Sequence, residues 1–150
     1  MKAASSGQSS MTEQSSWMLI FFAWLLATIA TLGSLFFSEV MEIQPCVLCW
    51  YQRIFMYPLV VIFLVGLFPF DRNVIRYALP IAVIGWGISV YHYLLYSGYI
   101  PETMQPCSQG VSCTEINLEL LGFITIPMLS ILSYSAIIAL LLVFKKRTNR

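Results

Sequence analysis

The sequence predicts an all-α membrane protein, a four-helix transmembrane bundle with both termini on the cytoplasmic side. Three observations support this prediction: the composition, four charge-free runs and the distribution of basic residues. Hydrophobic residues make up 59% of the 150 residues and charged residues only 10%, where an average soluble domain has roughly 45–50% and 25%. Disorder requires low hydrophobicity and high net charge, and the formal charge here is +1. We therefore expect lipid to surround most of the chain.

Four runs without Asp, Glu, Lys or Arg are candidates for membrane-spanning helices. A hydrocarbon core about 30 Å thick needs about 20 helical residues. The runs are residues 17–37, 54–70, 77–100 and 120–144. The second is long enough if it begins at Trp50 and Arg53 snorkels to the membrane surface. The first is too long for the apolar part of a signal peptide, so we expect the mature protein to keep it.

These runs divide the chain into three parts. Residues 1–16 are serine-rich and lack apolar periodicity, so they are expected to form a flexible tail. Residues 17–144 form the four-span membrane domain, and residues 145–150 form a basic cytoplasmic tail.

Basic residues predict the orientation in the membrane. With four spans, Arg53 lies on one side and the remaining Lys and Arg residues lie on the side of the termini: Lys2, Arg72, Arg76, Lys145, Lys146, Arg147 and Arg150. Under the positive-inside rule the termini are cytoplasmic. The connections that contain the cysteines then face outward, where disulfides persist and reduced zinc thiolates are disfavoured.

The first outward connection contains Cys46 and Cys49. Proline is favoured at the first helical position, so Pro45 is expected to start the second helix and to place both cysteines in its first turns. The positive end of the helix dipole favours a thiolate there. Spacings of three and four residues place Cys46, Cys49 and Arg53 on one face. We interpret this pattern as a redox site; the alternative is an inert local disulfide with Arg53 snorkelling to lipid phosphate.

The second outward connection contains Cys107 and Cys113, with Gly110 between them. A disulfide closing so small a loop is accessible to an external thiolate and can oxidise a soluble partner; alternatively it only stabilises the loop. Two pairs on one membrane face suggest a relay by thiol-disulfide exchange. A lipid-soluble two-electron acceptor beside Cys49 would be a quinone, whose developing negative charge Arg53 can stabilise.

His92 is the single histidine and lies in the outer half of the third predicted helix. An ionisable side chain within a membrane span is a candidate functional residue. We consider two roles for it: a hydrogen bond to a quinone carbonyl or proton relay, and a structural interhelical hydrogen bond to a tyrosine or a backbone carbonyl.

The octapeptide Cys-Val-Leu-Cys-Trp-Tyr-Gln-Arg at residues 46–53, the four-span layout and the second cysteine pair resemble the DsbB family of disulfide bond formation proteins. Residues 46–53 and 106–115 are most similar to its BdbC-like branch, and the resemblance covers residues 17–144. It implies a bacterial cytoplasmic membrane enzyme, a protein dithiol:quinone oxidoreductase. Such an enzyme reoxidises a soluble thioredoxin-fold thiol oxidase (DsbA/BdbD-like) and passes two electrons to quinone, with menaquinone favoured over ubiquinone by analogy.

The resemblance also implies a role for each site residue. Cys49 would be the thiolate next to the quinone, Cys46 its disulfide partner and Arg53 the cation that contacts the quinone. Cys107 would receive the partner's thiolate, and Cys113 would resolve the mixed disulfide. The five residues between Cys107 and Cys113 are fewer than in the best-known members, so the order of exchange between the two pairs stays open.

Other functions share parts of this cysteine pattern. A vitamin K epoxide reductase-like protein also couples a CxxC motif to quinone within four spans, but its CxxC lies on the last helix, and residues 120–144 contain no cysteine. A membrane scaffold with two structural disulfides and a zinc site formed by all four cysteines are further alternatives. The sequence has no P-loop, GxGxxG, HExxH or Ser-His-Asp pattern and no basic face for nucleic acid.

Overall fold

Four long helices make up most of the described chain. The computed structural model describes residues 3–42, 44–104 and 125–148. The helices are α1 (Ala3–Leu35), α2 (Val47–Leu67), α3 (Val74–Tyr96) and α4 (Ile126–Thr148). A π-helical turn, Phe36–Val40, continues α1, and a 3-10 turn, Glu102–Met104, follows α3.

All four helices are long and apolar enough to cross a membrane. The candidate spans are Glu13–Val40, Val47–Leu67, Val74–Tyr96 and Ile126–Thr148. The predicted four-span, all-α membrane protein is therefore confirmed, with shifts of a few residues at the helix ends. The second span begins at Val47 and does not require Trp50 as its first residue.

Helix α1 begins well before the apolar run. Its backbone is helical from Ala3, through the serine-rich segment that the sequence predicts as a flexible tail. Once a helix has nucleated, each added residue contributes a hydrogen bond, and serine opposes this only weakly. The domain boundaries at residues 16 and 145 stay predictions.

The helices pack in chain order around the bundle. Contacts join α1 to α2, α2 to α3, α3 to α4, and α4 back to α1. Small side chains allow close approach: Ala23, Ala27, Ala78 and Ala82 are fully buried in the shared core. At Gly85 on α3, a Cβ atom would lie 2.6 Å from the hydroxyl oxygen of Tyr134 on α4, so this crossing requires glycine.

The outer surface of the bundle is apolar. Large hydrophobic side chains are more than half exposed on several helices, including Ile29, Leu32, Val61 and Val65. An exposed apolar surface of this extent marks an interaction with lipid or protein. Because these side chains lie on helices of membrane-spanning length, they are suited to contact lipid chains.

Basic side chains gather at one end of the bundle. Phe70, between α2 and α3, contacts Phe144 near the end of α4, with ring centroids 6.3 Å apart. The exposed basic residues of these neighbouring segments are Arg72, Arg76, Lys145, Lys146 and Arg147. Arg53 lies near the other end of α2. This distribution agrees with the grouping predicted from the sequence, and the cytoplasmic location of the basic end stays a prediction.

Candidate functional site

Cys46 caps the N-terminus of α2. Its backbone is extended (φ −70°, ψ 169°), and its Sγ accepts a hydrogen bond from the backbone N–H of Cys49 at 3.3 Å. The first helical residue is Val47, so the prediction that Pro45 begins the helix is wrong by two residues. The reason is that Cys46 itself serves as the cap, a position that requires a non-helical backbone and a side-chain acceptor.

The two thiols of this turn lie side by side. Their Sγ atoms are 2.9 Å apart, and both cysteines are free thiols in the structure. Because a disulfide bond is about 2.05 Å long, a small movement closes it. Cys46 is 1% exposed, whereas Cys49 is only partly buried and lines a cavity.

His92 on α3 lies against Cys46. Its Nε2 is 3.7 Å from Cys46 Sγ, and the ring is 2% exposed. His92 therefore makes an interhelical contact, but its partners in the described residues are the Cys46 sulfur and the Gln52 amide, not the tyrosine or backbone carbonyl expected from the sequence. His92 is not among the residues that line the cavity, and a direct contact between His92 and a quinone stays a prediction.

The surroundings of Cys46 favour its thiolate. The hydrogen bond from the Cys49 side chain lowers the pKa of the Cys46 thiol from 9.0 to about 4. Burial opposes this change, while the hydrogen bonds from the His92 side chain and the Cys49 backbone N–H add to it. In the reduced pair, Cys46 is therefore the better stabilised thiolate. The sequence places the reacting thiolate at Cys49, and that assignment stays a prediction.

A cavity of about 380 Å³ opens beside Cys49. Its wall consists of residues from α1, from α2 with the segment before it, and from α4: Leu26, Ile29, Ala30, Gly33, Ser34, Phe37, Gln44, Pro45, Cys49, Gln52, Arg53, Met56, Tyr57, Ile126, Leu129, Ser130, Ser133 and Tyr134. Pockets for small molecules are commonly about 300–1,000 Å³ and mostly apolar, with a few polar groups. Both the volume and the lining of the cavity suit a small, mostly apolar molecule that carries a few polar atoms.

Arg53 on α2 lines this cavity. It is 9% exposed, and its snorkelling to the membrane surface stays a prediction. Its Nε donates to Ser34 Oγ and its Nη2 to the Ser34 carbonyl oxygen, both at 2.8 Å. The guanidinium also lies 5.4 Å from the ring centroid of Trp50. Both acceptors are neutral, so they hold the guanidinium in place without compensating its charge.

Gln52 is a site residue that the sequence analysis missed. Its side chain bonds Ser130 on α4 and His92 on α3, at 2.9 and 3.0 Å. Its backbone oxygen accepts from the Tyr134 hydroxyl at 2.8 Å. A buried amide within an otherwise apolar span was the available signal, because such groups need partners in lipid.

Cys46, Cys49 and His92 also form a set of potential metal ligands. One ligand atom from each lies within 4.8 Å of the others, and thiolates with imidazole suit zinc or copper(I). The predicted second pair, Cys107 and Cys113, lies outside the described residues. The four-cysteine zinc site considered above therefore stays open.

The chain is similar to known proteins that are named for disulfide formation. The family model described as "Disulfide bond formation protein DsbB" matches residues 14–144. "Probable disulfide formation protein C 2" of Bacillus anthracis is 50% identical over 133 residues, covering 87% of this chain and 94% of that protein. "Disulfide bond formation protein C" of Bacillus subtilis is 43% identical over 128 residues, covering 85% and 93%.

The similarity extends beyond Bacillus. "Probable disulfide formation protein" of Metapseudomonas resinovorans is 44% identical over 134 residues, which cover 89% of this chain and 93% of that protein. No solved structure gives a significant match. The resemblance to the BdbC-like branch is confirmed by the Bacillus relatives.

Proposed function

Because the chain belongs to the DsbB family of disulfide bond formation proteins, we propose that it oxidises a soluble thioredoxin-fold thiol oxidase and passes two electrons to a membrane quinone. The family makes the chain a disulfide-forming membrane protein. To this we add three proposals about the function. The electron acceptor is a quinone, and the dithiol substrate is a soluble protein. The chain lies in the bacterial cytoplasmic membrane, with the cysteine connections outside.

The position of Cys49 carries the proposal. One sulfur of a closely spaced dithiol lines a cavity that also contains the buried cation Arg53. An inert structural disulfide needs neither the cavity nor the cation. A quinone reduced beside Cys49 would gain negative charge, which Arg53 can stabilise at close range in a medium of low polarity.

The polar groups of the cavity fit a quinone. The buried hydroxyl of Tyr57 has no hydrogen-bond partner among the described residues, although Tyr57 lines the cavity. A buried hydroxyl without a partner is costly, and a ligand carbonyl would satisfy it. Apolar side chains such as Leu26 and Ile29 suit the rest of a lipid-soluble molecule.

The electron balance of the reaction is simple. Joining the sulfurs of Cys46 and Cys49 releases two electrons and two protons. When bound, a quinone accepts both and becomes a hydroquinone. Ser34 holds the guanidinium of Arg53 at the cavity wall through two hydrogen bonds, so this charge is in place before electrons arrive.

We assign the second cysteine pair to the soluble partner. Cys107 would accept the partner's thiolate and Cys113 would release it, after which the electrons pass to Cys46 and Cys49. Both residues lie outside the described part of the chain, so their order of exchange with Cys46 is part of the proposal. Menaquinone is favoured over ubiquinone by analogy with the BdbC-like branch.

An anaerobic reaction tests this function. The purified protein is fully reduced in detergent, mixed with a short-chain menaquinone or ubiquinone analogue, trapped with a thiol alkylator and weighed. We expect paired loss of thiols with one hydroquinone formed per disulfide. The variant Cys107→Ser/Cys113→Ser should still lose two thiols. If every thiol is alkylated in protein that remains folded, the proposal is wrong and structural disulfides are favoured.

A further inference from the structure

A chain of hydrogen bonds connects α4 to the buried sulfur of the dithiol. The Ser130 hydroxyl donates to Gln52 Oε1 at 2.9 Å, and Gln52 Nε2 lies 3.0 Å from His92 Nδ1. His92 Nε2 in turn lies 3.7 Å from Cys46 Sγ. Gln52 is the central member, because its side chain contacts both α3 and α4 while its own helix begins next to the dithiol.

The chemistry of these groups determines where the histidine proton lies. The Gln52 amide is oriented with its nitrogen toward His92; in this orientation the amide nitrogen donates, and Nδ1 of His92 accepts and carries no proton. A neutral imidazole then carries its proton on Nε2, the atom that faces Cys46. The sulfur it faces already accepts the backbone N–H of Cys49. Cys46 Sγ therefore occupies a position where donors converge.

We propose that Gln52 is a positioning residue that holds His92 as its Nε2–H tautomer and aims that N–H at Cys46 Sγ. His92 then stabilises Cys46 as a thiolate poised 2.9 Å from the sulfur of Cys49. Ser130 orients the Gln52 amide from the other side. Gln52 thus acts on the dithiol through His92, without touching either sulfur itself.

This arrangement also bears on metal binding by the same three residues. A metal ligand must offer a lone pair, and the Nε2–H tautomer has none on the nitrogen that faces Cys46. The opposite tautomer would offer a lone pair, but it requires a proton on Nδ1 and the reverse orientation of the Gln52 amide. With Gln52 oriented as described, His92 serves the thiolate and not a metal ion.

The inference deepens the proposed function at the same site, but its tests need no quinone. They measure the proton on His92 and the ionisation of Cys46 in the protein alone. If the quinone reaction fails but His92 shows the expected tautomer, only the proposed function is refuted. If the quinone reaction succeeds but His92 lacks the expected tautomer, only the role of Gln52 is refuted.

Nitrogen NMR of the single histidine tests the tautomer directly. With ¹⁵N-labelled histidine, the reduced full chain in detergent should show an unprotonated Nδ1 and a protonated Nε2. In Gln52→Glu, a carboxylate accepts in place of the amide donor, so Nδ1 should become protonated. The variant Ser135→Ala is the control, since the Ser135 hydroxyl bonds Trp86 on the exposed face. A protonated Nδ1 in the unmodified chain, or no change in Gln52→Glu, overturns the proposal.

The ionisation of Cys46 tests the consequence. In a Cys49→Ser/Cys107→Ser/Cys113→Ser background, the pH dependence of thiolate absorbance reports Cys46 alone. The ionisable groups around it among the described residues are Cys49, His92 and Tyr91, with Arg53 further along α2. His92→Phe should raise the midpoint by about one pH unit, a tenfold change in the ionisation constant.

Gln52→Met should shift this midpoint in the same direction, by no more than His92→Phe. In the double variant Gln52→Met/His92→Phe, the Gln52 change should add nothing, because Gln52 acts through His92. A merely structural role would make the two shifts additive. An unchanged midpoint in Gln52→Met, or additive shifts in the double variant, contradicts the positioning role.

Discussion

Cys46 is the N-cap of α2 and Cys49 lies in its first turn, yet the two side chains face different parts of the molecule. Cys49 lines the cavity between α1, α2 and α4, near the buried guanidinium of Arg53. Cys46 is buried against α3, where His92 approaches its sulfur. The two sides differ in access as well as in charge: one can admit a molecule, and the other is filled by protein.

Disulfide formation has two requirements, and the different surroundings of Cys49 and Cys46 suit one requirement each. One sulfur must meet the electron acceptor, and the other must be held as a nucleophile that closes the bond. A spacing of three residues, from the extended backbone of the cap at Cys46 to Cys49 in the first turn, gives the side chains different neighbours while keeping the sulfurs 2.9 Å apart. We infer that the CxxC spacing allows each sulfur its own surroundings without separating the pair.

Replacing each cysteine in turn tests this division most severely. Cys49→Ser should abolish quinone-driven thiol loss at this pair and remove the thiol that lines the cavity. Cys46→Ser should also abolish disulfide closure, but its remaining Cys49 should still react with an apolar alkylator that enters the cavity. Mass spectrometry of the alkylated variants measures both. Retained turnover in Cys49→Ser would contradict the account.

Removing the charge at the cavity wall should have the next largest effect. Arg53→Met should raise the KM for quinone about 10- to 100-fold, because hydrogen bonds to charged groups are worth about 1.5–3 kcal/mol. Arg53→Lys keeps the charge but lacks the two-pronged contact with Ser34, so its KM should be intermediate. Steady-state kinetics with varied quinone concentration supply the measurement. Equal KM values in all three proteins would remove Arg53 from quinone binding.

A substitution at Gly85 tests the close packing of α3 against α4. A Cβ at Gly85 would meet the side chain of Tyr134, a residue that lines the cavity and whose hydroxyl donates to the Gln52 backbone oxygen. Gly85→Ala should destabilise the bundle by about 1–3 kcal/mol through overpacking. Gly87→Ala is the matched control, since a Cβ there meets nothing within 4 Å. Thermal unfolding in detergent measures both, and equal stability of the two variants would contradict the tight α3–α4 crossing.

The smallest expected change concerns the free hydroxyl of the cavity. Tyr57→Phe removes one hydrogen bond to the acceptor, so the KM for quinone should rise about 2- to 10-fold. Stability without quinone should stay equal or increase, because the hydroxyl has no partner among the described residues. Tyr77→Phe, at an exposed position on α3, is the control. A KM that does not change would show that Tyr57 does not contact the acceptor.

The sequence predicted the fold far better than the detail of the site. Charge-free runs identify four spans because burying a charge in lipid is costly, and the spacing of Cys46, Cys49 and Arg53 pointed to the redox turn. The sequence could not show that Arg53 bonds Ser34 at the cavity wall, because Ser34 lies on another helix. The role of Gln52 was hidden for the same reason: its partners are on α3 and α4.

Photolabelling with an azido-substituted quinone tests the central claim, that the electron acceptor binds on the Cys49 side of the dithiol. After illumination of the full chain in detergent, peptide mass spectrometry locates the label. The account predicts labels on cavity residues of α1, α2 and α4, around Ser34, Cys49 and Tyr57, and their loss when unlabelled quinone competes. A competable label confined to α3 beside His92 would contradict it.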